Sequence, residues 1–279
     1  MAGTNESQHR GPFGADAYEP DEVARRVLDI GVKKTLFPNY KTVVLGFMGG
    51  CFISLGAMYE LFTVAHPEME GGTAAIAGPL FYAIGYIMAF ISGAEVFTTN
   101  NLAAMALAHG KVSLLQIIRN WTLVLISNLI GASCIAILFY WSGVATLHDG
   151  ALIETVGRIS AEKVSYGPIQ LVIIGLFANM LICAGLWLAM AGRSVTDRFL
   201  AILFPVAAVP AMNFQHSTGN MFQFFLTLLT DPTANGVDLA AEVTVSTITA
   251  NLLLVSIGNI IGGGFFIAFI YYLVFLRER

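Results

Sequence analysis

Charged side chains are scarce in this chain. Asp, Glu, Lys and Arg make up 11% of its 279 residues, against 56% hydrophobic. A water-soluble domain averages about 25% charged residues, so an ordinary cytosolic enzyme is excluded. The 14 Lys and Arg do not outnumber the 18 Asp and Glu, which leaves no basic field for a nucleic-acid partner. Cysteine is equally sparse. Cys51, Cys134 and Cys183 are odd in number, lack CxxC spacing and lie in apolar stretches, so they read as small packing residues. The first 41 residues contain no signal-peptide h-region, and no cleaved leader is expected.

What the chain does have is uncharged length. Runs without charge cover 42–59 (continuing past Glu60 to 65), 71–94, 120–147, 164–192, 199–230 and 243–276. A bilayer core about 30 Å thick asks for about 20 apolar residues per helix, which predicts an all-α membrane protein with six spans. In that topology twelve Lys and Arg fall on the face carrying both termini, and only Arg158 and Lys163 on the other. The positive-inside bias therefore predicts cytoplasmic termini in a cell inner (plasma) membrane. The division expected is a disordered leader over 1–19, an amphipathic interfacial helix over 20–41, a transmembrane domain over 42–276 and a tail of 277–279. In the interfacial helix Asp21 can act as the cap, and Val23, Val27 and Ile30 share a face meant for the inner membrane surface.

Two internal features point to a pathway. Span three carries Ser127-Asn128-Leu129-Ile130-Gly131-Ala132 and span six carries Gly258-Asn259-Ile260-Ile261-Gly262-Gly263. The shared pattern lies three spans apart, which inverts the second copy, as in transporter repeats with a site at the repeat interface. Close helix packing explains the same residues equally well. The second feature is a pair of polar interruptions, Glu95-Val96-Phe97-Thr98-Thr99-Asn100-Asn101 in span two and Pro210 followed by Asn213–Asn220 in span five. Irregular backbone at membrane depth is tolerated only inside protein or beside a cavity, so both are read as helix breaks. His216 lies in the second break, beside Asn213, Gln215 and Asn220. A lone histidine can be purely structural, but there it is suited to handling protons for a weak acid or base. A second intramembrane histidine for bis-histidine haem is missing, and no cofactor or metal is expected.

These residues resemble the formate/nitrite transporter family. The likeness covers about residues 33–277 and is carried by Gly93-Ala94-Glu95-Val96-Phe97-Thr98, Leu176-Phe177-Ala178-Asn179-Met180, Gly192-Arg193-Ser194, Phe214-Gln215-His216-Ser217 with Asn220-Met221, and Gly258–Gly264. The resemblance implies a homopentamer of aquaporin-like six-helix protomers, each with its own pore, built as two inverted three-helix repeats with broken second and fifth helices. By position, His216 resembles the central pore histidine, Asn179 its polar neighbour and Thr98 the loop residue facing it. Lys163 resembles the lysine that attracts anions at the outer vestibule, although alone it reads as a solvated loop charge. Gln215, Asn213 and Asn220 complete the expected pore lining, and Tyr82, Tyr86, Val96, Val209 and Phe214 the constrictions.

Departures from the family pattern concern the solute. Gln215 stands where Glu is common and Asn213 where Gly is usual, while Tyr82, Tyr86 and Val209 replace Phe and Leu. A more polar, wider neck leaves room for nitrite, hydrosulfide or a larger monocarboxylate beside formate. The expected function is a channel or transporter for a small monovalent anion or its neutral acid, formate first and nitrite second, with proton co-movement. It is not an enzyme. A non-transporting membrane anchor is the alternative from another class.

Overall fold

The computed structural model describes residues 17–277 except Glu70, Asn235 and Ala240. The expected leader up to residue 16, and residues 278 and 279 of the expected tail, lie outside that set. Every regular element among the described residues is helical: α1 (Pro20–Thr35), α2 (Asn39–Val64), α3 (Gly72–Ser92), α4 (Phe97–Asn100), α5 (Ala104–Ala108), α6 (Leu114–Trp141), α7 (Ala151–Ser165), α8 (Pro168–Ala191), α9 (Val195–Ala211), α10 (Ser217–Thr230), α11 (Val245–Asn259) and α12 (Ile270–Phe275). A 3-10 turn joins α4 to α5, and a π-helical stretch, Ile260–Phe269, makes α11 and α12 one continuous rod.

Five helices are long and apolar enough to cross a bilayer: α2, α3, α6, α8 and the rod Val245–Phe275. The fifth uncharged run is not among them because it is split into α9 and α10. Large apolar side chains such as Leu115, Trp141, Ile169 and Phe204 stand exposed on the outside of the bundle, as lipid contact requires.

α2 packs on α3 and α6, and α8 on α9 and α11. The approach is close because glycines remove Cβ atoms at the crossings. A Cβ on Gly131 would run into the Phe47 carbonyl oxygen, and one on Gly262 into that of Leu176. These glycines belong to the two repeated motifs, so the packing reading of those motifs holds for their glycines. Their asparagines do something else, described below.

α1 differs from the interfacial helix of the sequence reading. It ends at Thr35, four residues before α2 begins, and its first turn is closed by Glu22, which accepts the Glu19 N–H at 3.1 Å. Asp21 instead pairs with Arg25 one turn on. Val23, Ala24, Val27 and Leu28 are buried, because α1 lies against α5, α8, α12 and the 3-10 turn. Protein, not lipid, fills its apolar face. α1 and α12 meet on one face of the bundle, called proximal below, whereas α7 covers the opposite, distal face against α10.

Enlarging a crossing glycine tests this packing. Gly131→Val and Gly262→Val are each expected to destabilise the protein by about 1–3 kcal/mol, seen as a lower melting temperature in detergent.

Candidate functional site

The site begins where two helices stop. α3 ends at Ser92, Gly93 turns left-handed (φ 81°), and Val96 is extended before α4 starts. In the second half α9 runs on through Pro205 and Pro210 to Ala211, past the point where the sequence placed the break. Asn213 adopts φ 54°, and α10 already begins at Ser217. The interruption is shorter than the polar run because His216 caps the new helix: its Nδ1 accepts the Gly219 N–H at 3.0 Å. Residues 217–220 thereby become a first helical turn.

Each interruption is held by an asparagine from a repeated motif. Asn128 donates to the Gly46 carbonyl (2.7 Å) and the Glu95 carbonyl (2.8 Å), and its Oδ1 accepts the Phe97 N–H at 2.9 Å. Asn259 donates to the Gly175 carbonyl (2.8 Å) and the Gln215 carbonyl (3.4 Å), and its Oδ1 accepts the Ser217 N–H at 3.0 Å. The two sets match residue for residue. The match continues towards each face. Lys34 Nζ donates to Asn100 Oδ1 (3.2 Å), while Asn100 Nδ2 donates to Asn120 Oδ1 (3.0 Å) and to the Glu95 carboxylate (2.5 Å). Lys163 Nζ donates to Asn220 Oδ1 (2.7 Å), while Asn220 Nδ2 donates to Asn251 Oδ1 (3.0 Å) and to Gln215 Oε1 (2.9 Å). One difference breaks the correspondence: Lys34 is ion-paired with Glu95 at 3.1 Å, and at the equivalent place stands the uncharged Gln215, which donates to the Lys163 backbone carbonyl.

Two cavities approach this centre from opposite faces. The distal one, about 380 Å³, is lined by Glu60, Tyr82, Lys163, Val209, His216 and Asn220 among others. The proximal one, about 310 Å³, is lined by Arg26, Lys34, Tyr86, Val96, Asn100 and Leu102 among others. Between them stands a polar plug. The Tyr82 hydroxyl touches His216 Nε2, and the Tyr86 hydroxyl lies 3.1 Å from His216 Nδ1 and 2.7 Å from the Thr98 hydroxyl. Because Nδ1 accepts a backbone N–H, it cannot carry a proton, so the imidazole is neutral with its hydrogen on Nε2. Protonating the ring means giving up the cap of α10.

Burial of the charged partner is also legible at Lys163, in the helix over the distal face. Withdrawal from solvent lowers its ammonium pKa from the ordinary lysine value, and the carboxylates of Glu60 and Glu162 oppose that shift.

A family profile described as formate/nitrite transporter matches residues 21–273. The chain belongs to the formate/nitrite transporter family. Among curated relatives, it is 32% identical to the formate channel FocA of Escherichia coli strain K12, covering 96% of this chain and 97% of the relative. It is 27% identical to the formate channel BtFdhC of Bacillus thuringiensis, covering 94% and 97%. A solved pentameric formate channel with formate bound superposes with a TM-score of 0.77 at 29% identity, covering 86% of this chain and 98% of that one. A structure described as an FNT family ion channel gives 0.80 at 22% identity, over 91% and 98%, and speaks to the fold alone.

In this family member Thr98, His216, Tyr82 and Tyr86 are brought together, with Val209 and Phe214 on the distal side and Val96 on the proximal side. Phe214 also stacks on Phe177, with centroids 5.4 Å apart. Asn220 and Lys163 meet at the distal cavity, and Asn213 reaches Glu162 at its mouth (3.2 Å). Two predicted lining residues are placed elsewhere. The Asn179 amide is directed at backbone of the first break and of α11, within reach of the Thr98 carbonyl (3.1 Å) and the Asn259 carbonyl (2.7 Å). Gln215 is buried beneath Asn251 and donates to the Lys163 carbonyl at 3.3 Å. Sequence reading missed Lys34, Asn100, Asn120 and Asn251. For the three asparagines the signal was the intramembrane amide itself, which is costly in lipid unless bonded.

Asn128→Leu and Asn259→Leu each orphan buried backbone groups, at about 1–3 kcal/mol per group. Both are expected to lower the detergent melting temperature markedly, whereas Cys134→Ala, at a half-buried position, should shift it by a small fraction of that.

Proposed function

We propose that this chain is a transmembrane passage for small monovalent weak-acid anions, formate first and nitrite second, which cross together with a proton. The observation that carries the reading is the neck: a neutral imidazole and two tyrosine hydroxyls separating two cavities, with a lysine in the lining of each. The names of the formate-channel relatives and of the formate-bound pentamer support the same solute, and the latter supports a homopentamer here. The Lys and Arg bias of twelve to two supports a cytoplasmic proximal face and an inner-membrane location.

The chemistry follows from desolvation. A bare carboxylate pays several kcal/mol to leave water even after relaxation, whereas its neutral acid does not carry that penalty. Lys163 draws the anion into the distal cavity, where it takes a proton from solvent water. The neutral acid then passes the neck, its oxygens satisfied by His216 Nε2–H and the Tyr82, Tyr86 and Thr98 hydroxyls. On the proximal side it re-ionises beside Arg26 and Lys34. His216 acts in this scheme as a hydrogen-bond donor and not as the proton source, since its second nitrogen caps α10. The extra hydroxyls and Val209 favour tolerance of nitrite or a larger monocarboxylate at the same neck.

In proteoliposomes, His216→Phe is expected to cut formate flux by about tenfold or more by removing the neck donor, and to change its pH profile. A parental rate and profile in that variant would contradict the role. Lys163 keeps its charge below its lowered pKa and loses it as pH rises through that value. Anion capture should therefore fall on alkalinisation earlier than for an ordinary lysine, and Lys163→Ala should abolish that alkaline limb while lowering flux at neutral pH.

A further inference from the structure

Glu60 is a buried carboxylate that the scheme above leaves unused. It sits on α2, one turn from the distal end, with only 9% of its surface exposed, and it lines the distal cavity. Among the described residues it makes no ion pair within 4 Å, and no hydrogen bond satisfies its carboxyl group. A carboxylate in that state is costly at membrane depth, so its setting needs a reason.

Its surroundings supply one. The groups that face this cavity from the packed elements are Tyr82 on α3, Glu162 and Lys163 on α7, Tyr166 just after α7 and His216 before α10, while α6 contributes none. Glu162 is already engaged, accepting from Asn213 at 3.2 Å and from the Tyr166 hydroxyl at 3.4 Å. The internal correspondence supplies an independent observation. At the proximal end a carboxylate, Glu95, neutralises Lys34 at 3.1 Å. At the distal end the matching residue is the amide Gln215, and a carboxylate arrives instead from another helix, near Lys163 but not in contact with it. That spacing leaves the lysine open to a solute and the carboxyl open to solvent protons.

We propose that Glu60 is a proton-binding selectivity residue of the distal vestibule, which sets how strongly Lys163 attracts the incoming anion. Ionised, it cancels the attraction and repels a monovalent anion. Protonated, it leaves the lysine charge opposed only by Glu162 at the mouth and offers the anion an O–H donor. The external proton thus promotes anion capture before any proton joins the solute. This inference rests on the transport reading, and its site lies apart from the His216 neck.

The test is formate uptake into proteoliposomes across acid to neutral external pH, for the parent, Glu60→Gln, Glu60→Asp and Lys163→Gln, alone and with Glu60→Gln. Glu60→Gln should raise uptake in neutral buffer towards its acid value, by about tenfold if field focusing in the cleft is of ordinary strength, and lower the half-saturating formate concentration there. Glu60→Asp should retain pH dependence, and Glu60→Gln should add nothing in the Lys163→Gln background. Coincident pH profiles and half-saturation for parent and Glu60→Gln would overturn the proposal. Infrared titration of the purified protein reads the same group without flux. A protonated-carboxyl band lost in Glu60→Gln, with a midpoint displaced by added formate, is expected. If that band or its formate response is missing, the proposal fails. If the band responds while the parent conducts no weak acid, the transport reading fails and the binding site stands.

Discussion

An interrupted helix inside an apolar bundle exposes peptide N–H and C=O groups that lipid cannot satisfy. Everything at the centre of this protein depends on meeting that demand. Asn128 and Asn259 do so from the third helix of each half, each bridging a carbonyl on the adjacent span, a carbonyl before the break and an N–H after it. Asn179 adds a cross-link from the first break to α11. With the backbone secured, Thr98 and His216 can be held opposite the Tyr82 and Tyr86 rings with all four buried.

The neck combines two functions in one side chain. His216 starts α10 through one ring nitrogen and presents the other to the passage. Its orientation is fixed by the helix it caps, so the donor role proposed for it needs little further ordering. Thr98 achieves the same on the other side, its hydroxyl tied to Tyr86 and its carbonyl to Asn179.

Much of this arrangement was legible in the residues. Uncharged length disclosed the spans, and polar runs that lipid cannot tolerate disclosed both breaks and His216. The extent of the second break was misjudged because composition cannot reveal that a histidine side chain will replace a missing cap and fold Ser217 to Asn220 into helix. The repeated Asn-x-x-Gly motif was visible, but its two explanations could not be separated in sequence: the glycines serve helix contact and the asparagines serve the breaks. Asn179 was placed in the passage by the family resemblance and Gln215 by its place beside His216, whereas both side chains bond to backbone of the scaffold. The fate of α1 depended on which surface would cover its apolar stripe. An amphipathic pattern reports that a stripe exists and not whether lipid or protein fills it.

The two lysine clusters share one plan but place their charges differently: Glu95 is paired with Lys34, whereas Gln215 takes the matching place by Lys163 and the distal carboxylates stand off from the ammonium. A monovalent solute entering from opposite faces therefore meets unequal electrostatic wells, although the hydrogen-bond scaffolds around those wells nearly superimpose. Under the proposed transport reading, reversing the chemical gradient would not return the mirror-image flux at low concentration, because rectification follows from an uneven distribution of charge over a symmetric frame.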